Sequence, residues 1–258
     1  MDQINDVIAF SATFGVVISI IGYWLGLTLK NKTGLAIFNP LLISIIFVMI
    51  ILSVFHIDYK EYNSSAKYLS YLLTPATVSL AIPLYMHIDR LKRNWVGIIV
   101  GLLSGAVTSM GTVLAMSVLF HLSHEQYVTL LPKSITTAIG MGISDELGGI
   151  VTISVAVIIV TGILGNVLAV SICKLFRITD PVAKGLAIGA ASHAIGTSKA
   201  MEIGDIEGAM SSLAIVVNGL ITVIGASFFA LLYQQILPAP VWLLFSQCVT
   251  RLLSRVDV

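Results

Sequence analysis

The chain has 258 residues, 57% of them hydrophobic and only 10% charged, with a mean hydropathy of +0.99. A soluble domain carries about 25% charged residues, so this composition belongs to a polytopic membrane protein. The net charge of +1 excludes a strongly basic nucleic-acid binder. Cys173 and Cys248 alone make neither a disulfide framework nor a zinc site, and the acidic start, MDQIND, does not read as a cleavable signal.

A bilayer core of about 30 Å needs about 20 apolar residues in a helix. Uncharged stretches of that length run over residues 7–29, 33–55, 68–86, 95–120, 150–173 and 209–233. Six such stretches have no polar face to show water, which excludes buried helices of a soluble protein. Residues 134–149 and 185–200 are apolar but punctuated, each roughly 24 Å long as helix. Lys and Arg placement suggests the topology. With the N-terminus outside, residues 134–149 re-entrant and 185–203 crossing, most cations fall on the cytoplasmic side. The expected fold is therefore all-α and polytopic, with about seven transmembrane helices, one re-entrant segment and a cytoplasmic C-terminus. It forms one transmembrane domain over residues 1–233, followed by an amphipathic tail over 234–258.

Sliding the sequence on itself by about 115 residues aligns Thr74–Pro83 with Gly189–Ser198. In the topology above the aligned helices run in opposite directions. That predicts an inverted repeat with broken helices, halves about 33–120 and 150–233, as in secondary transporters. Shared composition of any two membrane helices is the competing explanation.

Three segments hold candidate chemistry. In residues 68–86, Pro75 and Pro83 each remove a helix hydrogen bond. Thr74, Thr77 and Ser79 stand among them, lining either a broken helix or an ordinary proline kink. In the second segment, Lys133, Ser134 and Thr137 stand where a helix begins, a place that attracts anions. An interface lysine with a serine cap explains them equally well. The third segment holds Ser192, His193, Gly196, Thr197, Ser198 and Lys199, then Glu202. Ionisable groups at membrane depth are costly and usually functional. His193 can titrate near neutral pH. Lys199 and Glu202, three apart, can pair on one face, either for coupling or as a structural pair. The broken stretches 75–83 and 192–199 are expected to meet near mid-membrane.

The stretches LLTPATVSLAIPLY, LPKSITTAIGMGIS, GLAIGAASHAIGTSKAMEIG and DIEGAMSSLAI resemble the signature of the LrgB/CidB family over about residues 19–233. That family includes antiholin-like LrgB proteins, which work beside a small LrgA/CidA-type membrane partner, and the LrgB half of the plastidic glycolate/glycerate translocator. The resemblance implies a multi-pass protein of the cell membrane and two functional themes. One is transport of small monocarboxylates of the pyruvate, glycolate, glycerate and lactate class, by a secondary transporter or facilitator. The other is antiholin-like control of murein hydrolase export and lysis. Pro75, Thr77, Lys133, Ser134, Thr137, His193, Gly196, Thr197, Lys199, Glu202 and Glu207 match the family's motif positions. In the transport reading either Lys133 or Lys199 supplies the cation for the carboxylate. A homo-oligomer is expected. No phosphate loop, zinc spacing, dinucleotide fingerprint or complete protease motif occurs, so neither a cofactor nor enzymatic activity is expected.

Overall fold

The computed structural model describes residues 13–34, 38–79 and 81–236, without the side chains of Leu73, Thr74, Thr77, Pro83, Leu84 and Arg90. The tail expected over residues 234–258 lies outside the described residues beyond Ile236. Every regular element among the described residues is helical.

The first is α1 (Phe14–Thr33), which ends on Gly34 in the left-handed conformation with φ 66°. Lys30 and Lys32 occupy its last turn, where cations oppose the helix dipole. The next helix, α2 (Pro40–Val54), starts with Pro40 at its first position and with Asn39 as cap, whose side chain accepts from Leu41 N at 2.8 Å. It runs back along α1, with Ser44 Oγ donating to Ser19 O at 3.1 Å. Then α3 (Tyr59–Ala66) returns to the start of α1, where Gly15 N donates to Ser65 Oγ at 2.7 Å. A 3-10 turn, Lys67–Leu72, leads to two short helices, α4 (Leu73–Ser79) and α5 (Ala81–Met86).

The core follows: α6 (Ile88–Leu119), α7 (His124–Leu130), α8 (Thr137–Glu146), α9 (Val151–Leu175), α10 (Pro181–Ile203) and α11 (Asp205–Ile236). Four helices among the described residues are long and apolar enough to cross a membrane: Phe14–Thr33, Leu91–Leu119, Val151–Leu175 and Asp205–Ile236. Pro40–Val54 is apolar but shorter.

The packing of α6 on α11 fixes their relative direction. Ile98 and Leu102 pack with Ala209, Met210 and Ala214. Further along both helices, Met110 and Val113 pack with Ala226 and Ala230. At the far end Tyr233 Oη donates to Leu122 O at 2.6 Å and lies 3.3 Å from Ser117 O. The two helices therefore run the same way. They are partners at the 115-residue offset, and an inverted repeat in that register needs them opposed. The α6–α11 pair therefore does not fit the repeat expected for 33–120 and 150–233.

Two hairpins enter the core from opposite ends. The first is α7 with α8. His124 stacks on Tyr233 near the end of α11, Tyr127 Oη donates to Phe229 O at 3.1 Å, and Ser134 O reaches Asn218 halfway down. The chain turns there and α8 climbs back along α9. Its Ser144 lies 2.7 Å from Ser154 Oγ, and Ile150 N donates to Thr129 Oγ1 at 2.8 Å. The hairpin is thus stapled at its base by buried hydroxyls.

The second hairpin is α10 itself. Residues 193–200 do not continue the line of 181–192. His193 has φ 42° and ψ −139° inside the helix. Before it, Gly185 touches Glu207 and Met210, and Gly189 touches Ser211 and Ala214, ascending together. After it, Thr197 meets Ser211, Met201 meets Gly208, and Gly204 meets Glu207, descending. The chain enters from the end holding Lys174, Arg177 and Lys184, turns at His193, and leaves by the same end. This corrects the expectation that 185–203 crosses. The segment is short because each arm spans only half the bundle. The expected break at 75–83 also differs: α4 and α5 are helical on either side of Leu80, which lies outside the described residues.

Tyr233 is buried (1% exposed) and stacks on Tyr127 with centroids 4.1 Å apart. Tyr233→Phe keeps the ring but removes the donor to Leu122 O. A melt in detergent micelles should show a loss of about 1 kcal/mol; an unchanged midpoint would mean that water replaces the hydroxyl.

Candidate functional site

Both hairpin tips reach the middle of the core, where a cavity of about 750 Å³ opens between α6, α9 and α10. Its polar side carries Ser104, Thr108, Ser109 and Thr112 of α6, Lys133 and Ser134 of the first tip, and Ser192 of the second. The α9 side is mainly aliphatic, with Leu164, Leu168 and Ile172 beside Thr161.

Lys133 Nζ donates to Ser134 Oγ at 3.0 Å and Ser109 Oγ at 3.2 Å, and those two hydroxyls lie 2.9 Å apart. Among the described residues no carboxylate lies within 4 Å of it. An ammonium has three N–H donors, and these residues take two. The first turn of α8 begins at Thr137, four residues on in the chain, and carries the positive end of a helix dipole.

Asn218 joins the tips. It is 2% exposed, and its Nδ2 donates to Ser134 O at 3.2 Å and Ala190 O at 3.1 Å. Its Oδ1 is buried without a partner among the described residues.

The second tip needs space on α9. A Cβ on Gly165 would overlap the Ser192 side chain, and one on Gly162 would come within 2.8 Å of the His193 ring. The glycines let the turn seat against the helix. His193 then holds it, with Nε2 3.0 Å from Ile158 O. Gly196 sits under Ser192, and its own Cβ would overlap that side chain. Thr197 Oγ1 donates to His193 O at 2.9 Å and lies 2.7 Å from Ser211 Oγ. Asn166 fastens the return arm: its Nδ2 donates to Ile195 O at 2.8 Å and Ser198 Oγ at 3.2 Å, while Asn39 Nδ2 donates to its Oδ1 at 2.8 Å. Gly165→Val should lower stability by about 1–3 kcal/mol through overpacking. Gly142→Ala, with open space around it, should be neutral. Equal melting of the two variants would show that the tip does not seat against α9.

The sequence-expected residues therefore separate into groups. Lys133, Ser134 and Ser192 line the cavity, and Thr137 starts α8. His193, Gly196, Thr197 and Ser198 build the second hairpin and face its neighbours. Lys199 lies outside the cavity lining. Its Nζ is 2.8 Å from Glu202, which also binds Lys30 at 2.8 Å, at the basic end of the bundle. Pro75 and Ser79 are exposed, with Ser79 Oγ donating to Pro75 O at 2.8 Å; no described hydrogen bond ties them to α10. The side chains of Thr74 and Thr77 lie outside the described residues. Gly162, Gly165, Asn166, Ser211 and Asn218 also build the site, and Ser109, in sequence one of a row of small helix-packing residues on α6, supplies a hydroxyl to Lys133. The two asparagines gave a signal: each is a lone amide in an apolar span, where polar groups are costly.

No group of His, Cys, Asp and Glu among the described residues could hold a metal ion. No solved structure matches the chain. The sequence profile described as the LrgB-like family matches residues 19–232. Antiholin-like protein LrgB of Bacillus mycoides (strain KBAB4) is 36% identical over 217 residues, which cover 84% of this chain and 94% of its own. The proteins of the same name from Bacillus cereus (strain B4264) and Bacillus anthracis (strain CDC 684 / NRRL 3495) match equally, at 36%. With four membrane-length apolar helices and this profile over most of its length, the chain is a multi-pass membrane protein that belongs to the LrgB-like family.

Proposed function

We propose that the chain is a carrier for small monocarboxylates, with the two hairpin tips forming the substrate site. The observation that carries this reading is Lys133. It is a cation at mid-core without a described acidic partner, on a hydroxyl-rich wall. A carboxylate completes its hydrogen bonding and neutralises it, and the serines and threonines suit a hydroxy or keto acid. Binding anions at a half-helix start is how several transporters hold substrate.

Topology supports the same reading. Lys30, Lys32, Lys92, Arg93, Lys174, Arg177 and Lys184 gather at one end, and the positive-inside rule makes that end cytoplasmic. The first hairpin then enters from outside and the second from inside. Each follows a long helix, α6 or α9, and the two helix–hairpin units suit an inverted repeat. Ser134 and His193 are 59 positions apart, and Leu119 and Leu175 are 56, so this register is half the 115-residue offset. With α11 running like α6, Ile236 ends on the outer side. A second copy and an LrgA-type partner are natural additions to such a unit.

The relatives' name, antiholin-like protein LrgB, favours a second reading, control of murein hydrolase export and lysis. A regulator acting through helix packing has no need of a lysine held in a cavity without an acid. Uptake of labelled pyruvate, glycolate, glycerate and lactate into proteoliposomes separates the readings, with and without an LrgA-type partner. Saturable uptake of at least one acid is expected. No uptake under either condition would leave the regulator.

A further inference from the structure

A second cavity, of about 500 Å³, opens at the basic end on a different face of α9. Three cations line it: Lys174 and Arg177 at the end of α9, and Lys184 on the entering arm of α10. Among the described residues none of them has a carboxylate within 4 Å. The nearest acid in sequence, Asp180, is already engaged, accepting from Ala183 N at 2.9 Å as the cap of α10. The rest of the lining is mainly apolar: Val170, Cys173, Ile178 and Ile203, with Thr179. Ile203 belongs to the returning arm of the hairpin. Leu175 and Phe176, beside the groove, are 76% and 71% exposed, as residues facing acyl chains would be.

The local backbone sets this arrangement. The α9 helix closes with Ile178 N donating to Cys173 O at 2.8 Å, and Arg177 takes φ 53° at the turn. That turn brings the half-buried Ile178 and the exposed Arg177 together in the groove lining. A small inorganic anion would find cations there but lose its water against aliphatic walls. A molecule with a phosphate and a hydrocarbon chain satisfies both parts, and basic pockets between helices on the cytoplasmic side hold such lipids.

We propose that this groove binds one anionic phospholipid, its headgroup phosphate between Lys174, Arg177 and Lys184 and an acyl chain along Val170, Ile178 and Ile203. The lipid bridges the end of α9 to both arms of the second hairpin, so it braces that hairpin from the membrane side. The site is independent of what the central cavity carries.

The test uses the purified full chain in neutral detergent with added phosphatidylglycerol, phosphatidylcholine or glycerol 3-phosphate, read by thermal melting. Phosphatidylglycerol should raise the melting temperature by several degrees, and the other two should not. In the triple variant Lys174→Gln, Arg177→Gln, Lys184→Gln, the lipid concentration for half the shift should rise at least tenfold. Lys184→Gln alone, which leaves the α9 turn untouched, should give a smaller rise and guards against misfolding of the triple variant. Lys92→Gln with Arg93→Gln, elsewhere at the same end, should leave it unchanged. An unchanged response in both Lys184 variants would overturn the site. So would an equal loss in the Lys92/Arg93 variant, which would mean general surface charge. Stabilisation by glycerol 3-phosphate alone would mean a free-anion site instead of a lipid site.

Discussion

Lys133→Met should lower carboxylate uptake at least 30-fold, and far more than Lys199→Met. Removing one partner of a buried charge pair costs about 2–5 kcal/mol in comparable interfaces, and 1.4 kcal/mol is about tenfold in affinity. Met keeps most of the side-chain volume, so Ser109 and Ser134 can still bond one another at the tip. Lys199 instead faces Glu202, and its side chain is 21% exposed. Its loss leaves Glu202 with Lys30, so a modest effect on stability is expected, about 1 kcal/mol or less for a partly exposed pair. Initial uptake rates in proteoliposomes at matched protein density give the comparison. Equal loss in both variants would move the anion site away from the first hairpin.

Asn218→Leu should be the second severe substitution. It deletes the donor shared by Ser134 O and Ala190 O and leaves one buried and one half-buried carbonyl without it. Each unsatisfied group costs about 1–3 kcal/mol. The expected result is loss of uptake with faster amide exchange at both tips, around residues 131–137 and 190–196, while α6 and α9 stay protected. Exchange that rises at one tip alone, or evenly along α11, would show that Asn218 does not couple the hairpins.

Much of this arrangement was legible in the sequence, for physical reasons. Long uncharged runs betray helices that need a bilayer, and α1, α6, α9 and α11 follow them closely. Residues 134–149 were too short to cross, and they are the returning arm of a hairpin. The same shortness marked residues 185–200, but the charge count let them cross. The break expected within residues 192–199 falls at His193, but its form was out of reach: turns with positive φ favour glycine, and here a histidine adopts one where α9 offers Gly162, Gly165 and the Ile158 carbonyl. Those groups lie some thirty residues away in sequence. The Lys199–Glu202 pair was legible from its spacing; what was out of reach is that the turn at His193 carries that pair away from the cavity, to the end where Lys30 of another helix also binds Glu202. The 115-residue offset pairs α6 with α11 although they run the same way, because small-residue helices resemble one another whichever way they point.

In the proposed function, the cavity between the hairpin tips carries a carboxylate across the membrane. Counterflow tests it most directly. Proteoliposomes holding the chain, with an LrgA-type partner co-reconstituted in a parallel set, are loaded with unlabelled acid and diluted into a trace of the labelled one. A transient accumulation of label is predicted for at least one of pyruvate, glycolate, glycerate and lactate, abolished by Lys133→Met. Absence of accumulation for all four acids in both sets, with the protein folded, would contradict it.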